Sequence, residues 1–247
     1  MSRTALVTGG SGGIGSAIVK ELAEYGWDIA IHYFQNREKA EELMEQLKAL
    51  PVRCICVQAD ISDEQAVDAM FTKIEEELGP VTALINNAGI DRPDFFMNKK
   101  TEDFHRVMDI NVLGAWHCAR RAYKNMMDME TGKIVNIAST DGINTYYPVN
   151  IDYDASKAAL ISLTHNLAVQ FAPYVNVNCV APGFIGTEKE LEGYDAEFLK
   201  QETEKILKKR YGRPEEVAHT VRFLVSEEAE FINNTVIRID GGQMGSV

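Results

Sequence analysis

Seven short apolar runs, near residues 4–8, 28–33, 52–57, 81–86, 132–138, 174–180 and 235–240, alternate along this chain with longer stretches of helical period. Such alternation calls for parallel strands joined by helical crossovers. Crossovers of this kind are right-handed, so the sequence predicts an α/β fold: a doubly wound parallel sheet of about seven strands with helices on both faces. Its ligand crevice opens where the strand order reverses, beyond the carboxyl ends of the first and fourth strands. With 247 residues, 45% of them hydrophobic, the chain can bury a full core as one domain, residues 1–247, and it carries no linker-like, repeated or low-complexity tract.

The first strand–helix junction reads Thr8-Gly9-Gly10-Ser11-Gly12-Gly13-Ile14-Gly15. Glycine allows the tight turn, and its missing Cβ lets backbone approach a pyrophosphate held at a helix N-terminus. The spacing is Gly-x-x-x-Gly-x-Gly rather than the commoner Gly-x-Gly-x-x-Gly, so an ordinary glycine-rich turn remains the alternative at this point. Farther on, Tyr153 and Lys157 stand four residues apart in an apolar helical stretch and therefore share a helix face. An ammonium near a phenol favours the phenolate, which moves Tyr153 toward the pH range where a proton donor or acceptor is useful. Ser139 closes the strand-like run from Lys133 to Ala138, and Asn86-Asn87-Ala88-Gly89 closes another. All four segments are placed at one sheet edge.

In these motifs, and in Asp60, Asn111, Pro182-Gly183-Phe184-Ile185-Gly186-Thr187 and Asp240-Gly241-Gly242, the chain closely resembles the short-chain dehydrogenase/reductase family over essentially its whole length. The resemblance implies a single-domain Rossmann-type fold that binds NAD(P) and transfers hydride between nicotinamide and a carbonyl or alcohol. Tyr153 is then the general acid, Ser139 the group that orients the substrate oxygen, Lys157 the residue that lowers the Tyr153 pKa and holds the nicotinamide ribose, and Asn111 the support of a water chain to Lys157. Ser139 lies 14 residues before Tyr153, one more than the family's common spacing, which Thr140 would satisfy. The strand pattern favours Ser139, and Thr140 is the alternative.

The resemblance also implies cofactor contacts from the loop residues Gly9, Ser11, Gly12, Gly13, Ile14 and Gly15. Tyr33, Arg37, Asp60 and Ile61 are expected toward the adenosine half. Asn87, Ala88, Gly89, Pro182, Gly183, Ile185 and Thr187 are expected toward the ribose and nicotinamide. No Asp or Glu stands near Tyr33 to repel a 2′-phosphate, and Arg37 is able to bind one, so NADP(H) is preferred and NAD(H) is the alternative. No metal is expected: Cys54, Cys56, Cys118 and Cys179 are scattered like small core residues, and the five histidines form no ligand cluster.

The net charge of −12 disfavours nucleic acid and anionic membranes as partners, and acidic runs such as Glu75-Glu76-Glu77 read as solvated helix faces. No apolar stretch approaches membrane-span length and the first residues lack a signal-peptide pattern, so a cytoplasmic enzyme is expected. The overall likeness is greatest to 3-oxoacyl-acyl-carrier-protein reductases, which implies an acyl-thioester substrate and fatty-acid synthesis. Yet residues 128–132 and 171–174 lack the arginines on which an acidic carrier docks. A dehydrogenase of a free sugar, polyol or steroid is the second reading, and a non-catalytic NADP-binding regulator the third. Relatives imply a homotetramer, and the apolar Val107, Ile110, Leu113, Trp116, Met126 and Met127 suggest an interface. Residues 187–210, which include Gly193 and Tyr194, read either as a lid over the substrate or as a surface helix.

Overall fold

The computed structural model describes residues 3–143, 147, 149–193 and 195–244, so Tyr194 lies outside the described residues. Seven parallel strands form one sheet in the order β3-β2-β1-β4-β5-β6-β7: β1 Thr4–Val7, β2 Asp28–Tyr33, β3 Cys54–Gln58, β4 Val81–Asn86, β5 Gly132–Ile137, β6 Val175–Pro182 and β7 Val236–Ile239. Each matches an apolar run to within two residues. Strands β1, β4 and β6 are buried along almost their whole length, as two-sided cover requires.

One layer of core lies between the sheet and helices α1 (Gly13–Glu24), α2 (Arg37–Gln46) and α9 (Pro214–Val225), through residues such as Ile18, Leu22, Leu43 and Val221. The other lies under α3 (Glu64–Glu77), α5 (Ala115–Asp128) and α6 (Ile151–Phe171), through Phe71, Ile74, Met126 and Leu167. Local signals set the helix starts. Asp63 accepts from the Gln65 and Ala66 amides ahead of α3, and Pro214 opens α9 while Glu216 reaches back to the Arg213 amide.

Residues 101–127 are not one continuous α-helix: α4 (Thr101–Met108) runs through a π-type turn, Asp109–Gly114, into α5. Such turns insert a residue into the helical ladder and re-aim a side chain, and here the turn carries Asn111. Nor is Glu75 merely part of a solvated face. Its carboxylate takes a bidentate pair from Arg121 at 2.7 and 2.8 Å and a third bond from Asn125, tying α3 to α5. Of the apolar residues suspected of forming an interface, Val107 and Met126 are fully buried, whereas Leu113 (45%) and Trp116 (37%) are exposed.

The reversal in strand order falls between β1 and β4, and the two loops leaving them are stitched together. The Thr8 hydroxyl accepts from the Asn87 and Ala88 amides, each at 3.0 Å, and donates to Ile85 O. In return the Asn87 side chain donates to the carbonyls of Thr8 and Gly9. Thr8→Val keeps the shape but leaves two amides without an acceptor at a 1%-exposed position. Denaturant unfolding is expected to show a loss of roughly 2–4 kcal/mol for Thr8→Val and little change for Thr8→Ser.

Candidate active site

The glycine loop owes its shape to close contacts on both sides. Gly9 has φ +63°, and a Cβ at Gly15 would come within 2.3 Å of Gly9 O and 2.6 Å of the Asn87 side chain, so neither position accepts a larger residue. Beyond the loop, α1 starts at Gly12 with no side-chain cap and no acidic residue in its first turn. The first-turn amides therefore face the crevice as an anion site, with Gly12 and Gly13 exposed and Ser11 half-buried there. A Cβ on Gly13 would fill the space in front of Thr187, whose Cγ2 lies 2.6 Å from it, so the loop after β6 reaches back across the glycine loop. This cradle fits the pyrophosphate of a dinucleotide.

Other candidate residues flank it. Tyr33 and Ile61 are buried, and Arg37 is exposed with its Nε on Glu41 at 2.7 Å. Both carboxylate oxygens of Asp60 are engaged, one by the Ser62 amide and hydroxyl and the other by Arg106 at 2.8 Å. Burial pushes the Asp60 carboxyl up, but these hydrogen bonds outweigh it and leave its pKa below the ordinary value.

His32, at the end of β2, had no sequence signal beyond being a lone histidine in an apolar strand. It is 2% exposed; its Nδ1 accepts from the Gly9 amide at 3.0 Å, and Nε2 faces Ala59 O at 3.1 Å. The ring joins the glycine loop to the loop carrying Asp60, a role that requires the neutral tautomer with its proton on Nε2. Burial lowers its pKa to about 4.

At the centre of the crevice a cavity of about 450 Å³ is lined by Ile14, Asn87, Gly89, Ser139, Tyr153, Lys157, Pro182, Gly183, Ile185 and Thr187, ten of the residues singled out from sequence. Ala88 stands beside it on the strap that Thr8 holds. The Ser139 hydroxyl lies beside the Tyr153 phenol, where it opposes the rise in the phenol's pKa, and accepts from the Asp141 amide at 3.1 Å; Thr140 lines the same cavity. Lys157 is 4% exposed; its Nζ donates to Ile137 O at 2.8 Å and lies 5.4 Å from the centre of the Tyr153 ring. Asn111 sits behind the cavity: it exchanges two hydrogen bonds with the Ile90 backbone and donates to the Ser156 hydroxyl. Its side-chain amide is thus committed to fastening the loop after β4, an arrangement not anticipated from sequence.

Burial governs the ionisation of the group. It pushes the Tyr153 phenol well above its ordinary value; Asp141, Asp91 and Glu190 push the same way, and Ser139 opposes them. The net direction is therefore opposite to the lowering expected from Lys157, because loss of hydration is the largest cause. Lys157 itself is lowered to about 8 by burial. Asp141, two residues past Ser139 in the 3₁₀ turn Thr140–Gly142, is raised to about 7 by burial and by the charge of Asp154. Asp91 and Glu190 also line the cavity, Glu190 from α7 (Glu188–Gly193), and Phe198 of α8 (Ala196–Lys205) completes that wall. From the segment 187–210, Thr187, Glu190 and Phe198 thus line the cavity. The carboxyls were missed because their meeting depends on three loops far apart in sequence.

Comparison with known proteins agrees with this geometry. The family model described as Enoyl-(Acyl carrier protein) reductase matches residues 9–244. The 3-oxoacyl-acyl-carrier-protein reductase FabG of Staphylococcus aureus is 36% identical over 243 residues, covering 98% of each chain. Glucose 1-dehydrogenase 2 of Bacillus subtilis is 33% identical, covering 97% of this chain and 94% of that protein. The crystal structure of a gluconate 5-dehydrogenase from Burkholderia cenocepacia, in complex with NADP and tartrate, superposes with a TM-score of 0.91 at 30% identity, covering 98% and 95% of the two chains.

The buried His32 yields a pH prediction. Its folded pKa lies below the usual 6.5, so between pH 6.5 and about 4 the unfolded chain takes up a proton that the folded chain does not. Its contribution is complete above pH 6.5 and is lost as pH falls toward 4, roughly 3 kcal/mol in total. Subtracting the unfolding free energy of His32→Gln from that of the wild type at each pH is expected to expose this slope, and a flat difference would remove His32 from the account.

Proposed function

The chain belongs to the short-chain dehydrogenase/reductase family, and from that premise we propose that it is an NADP(H)-dependent oxidoreductase that reduces the ketone of a small, hydroxyl-bearing substrate free in solution. The observation that carries this choice is the charge of the cavity. Asp91, Asp141 and Glu190 line it, and Lys157 is the one basic lining residue among those described. Carboxylates pair well with substrate hydroxyls and repel anions.

The bound nicotinamide supplies or accepts the hydride. A hydride arriving at a carbonyl carbon leaves charge on the oxygen, and the Ser139 hydroxyl and Tyr153 phenol are the two donors placed together to meet it. Tyr153 gives the proton and Ser139 orients the oxygen. The neutral phenol that burial enforces is the form a reduction needs, whereas alcohol oxidation needs the phenolate. Lys157 holds the nicotinamide ribose and supplies the proton that restores Tyr153, and Asn111 keeps the Ile90 loop in place beside it. Gly9, Ser11, Gly12, Gly13, Ile14 and Gly15 receive the pyrophosphate, and Thr187, with Pro182, Gly183 and Ile185, meets the nicotinamide end. The preference for NADP(H) over NAD(H) rests on Tyr33 and Arg37. Arg37 sits in a solvent-screened pair with Glu41 that is readily exchanged for a phosphate. A homotetramer built on the exposed Leu113 and Trp116 of the π-type turn and α5 is part of the same proposal.

A second reading, reduction of 3-oxoacyl thioesters, is favoured by the 36% identity to the Staphylococcus aureus reductase. Its natural donor, an acidic carrier, meets a protein of net charge −12. The assay that separates the two is nucleotide oxidation at 340 nm with NADPH and NADH against acetoacetyl-CoA and a panel of neutral hydroxyketones and ketoses. Turnover of the neutral panel with NADPH is expected, falling about 10²–10⁴-fold in Tyr153→Phe. Asp141→Asn removes a carboxyl beside the phenol and is expected to improve acetoacetyl-CoA relative to neutral ketones. Efficient turnover of acetoacetyl-CoA alone would instead establish the thioester reading.

A further inference from the structure

The ion pair between Lys99 and Asp152 is buried as deeply as any charged pair in the described chain, with side chains 6% and 0% exposed. Lys99 lies at the end of the segment joining β4 to α4, and Asp152 is the second residue of α6. The ammonium donates to both Asp152 oxygens, at 2.9 and 3.0 Å, and to the Arg92 carbonyl. One of those oxygens also accepts from the Tyr153 amide at 3.0 Å. A single carboxylate therefore grips the cavity's loop with one hand and the backbone of the phenol-bearing residue with the other.

That loop has two further fastenings, Ile90 to Asn111 and the Asp94 amide to Val149 O at 2.9 Å, and between them Asp91 and Pro93 face the cavity. Two apolar side chains of similar volume would fill the same space and are commonly no less stable than a buried ion pair. What a carboxylate adds is direction: its oxygens fix the first turn of α6 in rotation, and a phenol on that turn follows it.

Resting on the reading of Tyr153 as proton donor, we infer that Lys99 and Asp152 are positioning residues that set the Tyr153 phenol against Ser139 and hold the wall formed by residues 90–94 at the substrate. Neither touches substrate or cofactor. The pair's effect is therefore expected in kcat and not in nucleotide affinity.

The test compares wild type, Asp152→Asn and the double variant Lys99→Met/Asp152→Leu, which replaces the pair by apolar residues and guards against simple unfolding. Three quantities are read: thermal midpoint, NADPH dissociation constant by fluorescence titration, and amide hydrogen exchange in peptides spanning 89–100 and 150–157. A fourth is kcat on whichever ketone the wild type reduces. The double variant is expected to melt near the wild type and to bind NADPH within about threefold, yet to exchange faster in both peptides and lose about 10- to 100-fold in kcat, with KM little changed. Asp152→Asn, which keeps an acceptor for the Tyr153 amide, is expected to fall between. Unchanged exchange in the double variant, or faster exchange with kcat preserved, overturns the inference. The exchange readout needs no substrate, and wild-type activity surviving in Tyr153→Phe would instead sink the reading of the donor, so the two failures are distinguishable.

Discussion

The site depends on the stitch between the loops that leave β1 and β4. At the point of strand reversal two backbone segments diverge from adjacent strands, and without cross-links their polar groups would be left to water. Thr8 and Asn87 supply four hydrogen bonds between the two loops, and both side chains act on backbone. Everything placed in the crevice is referred to that junction. His32 holds Gly9 from the β2 side, Thr187 lies against Gly13 from the β6 side, and Gly15 packs directly on Gly9 O. Because each contact is made to main chain, substitution of the side chains opposite would loosen the cradle without changing its chemistry.

A second force, removal from water, sets the protonation of the reacting groups. Tyr153, Lys157 and Asp141 all shift toward their neutral forms, and in each burial is the largest cause. A simple Tyr–Lys charge pair would move the phenol the other way. Removal from water keeps the phenol protonated, lowers Lys157 to about 8 and raises Asp141 to about 7. Ser139 lies beside the phenol and accepts a hydrogen bond from the Asp141 amide. The charge lining the cavity therefore changes around neutral pH at a residue two positions beyond the serine.

A chain of buried amides and hydroxyls extends the same ordering below the cavity. Asn86 donates to Asn136, Asn136 donates to Thr164, and Thr164 donates to the carbonyl of Leu160, linking β4, β5 and α6 inside the core. Such groups are costly to bury unless paired, and once paired they fix the register of the helix that carries Tyr153 and Lys157. Together with Lys99 and Asp152 at its first turn, α6 is held by directional bonds at its start and its middle.

Much of this was legible in the amino-acid order, because the signals are local. Apolar runs of strand length, the glycine loop, and Tyr153 and Lys157 at helical spacing each follow from a few adjacent residues, and parallel pairing with right-handed crossovers then leaves one sheet topology with its crevice between β1 and β4. What only tertiary structure decided involves distance in space or exclusion of water. The π-type turn that points Asn111 at Ile90, the histidine clamp on Gly9, the pairing of Lys99 with Asp152 and the convergence of Asp91, Asp141 and Glu190 join residues from separate loops. The upward shift of Tyr153 could not be read at all from a neighbouring lysine, since the sign of that shift is set by how much water the folded chain removes.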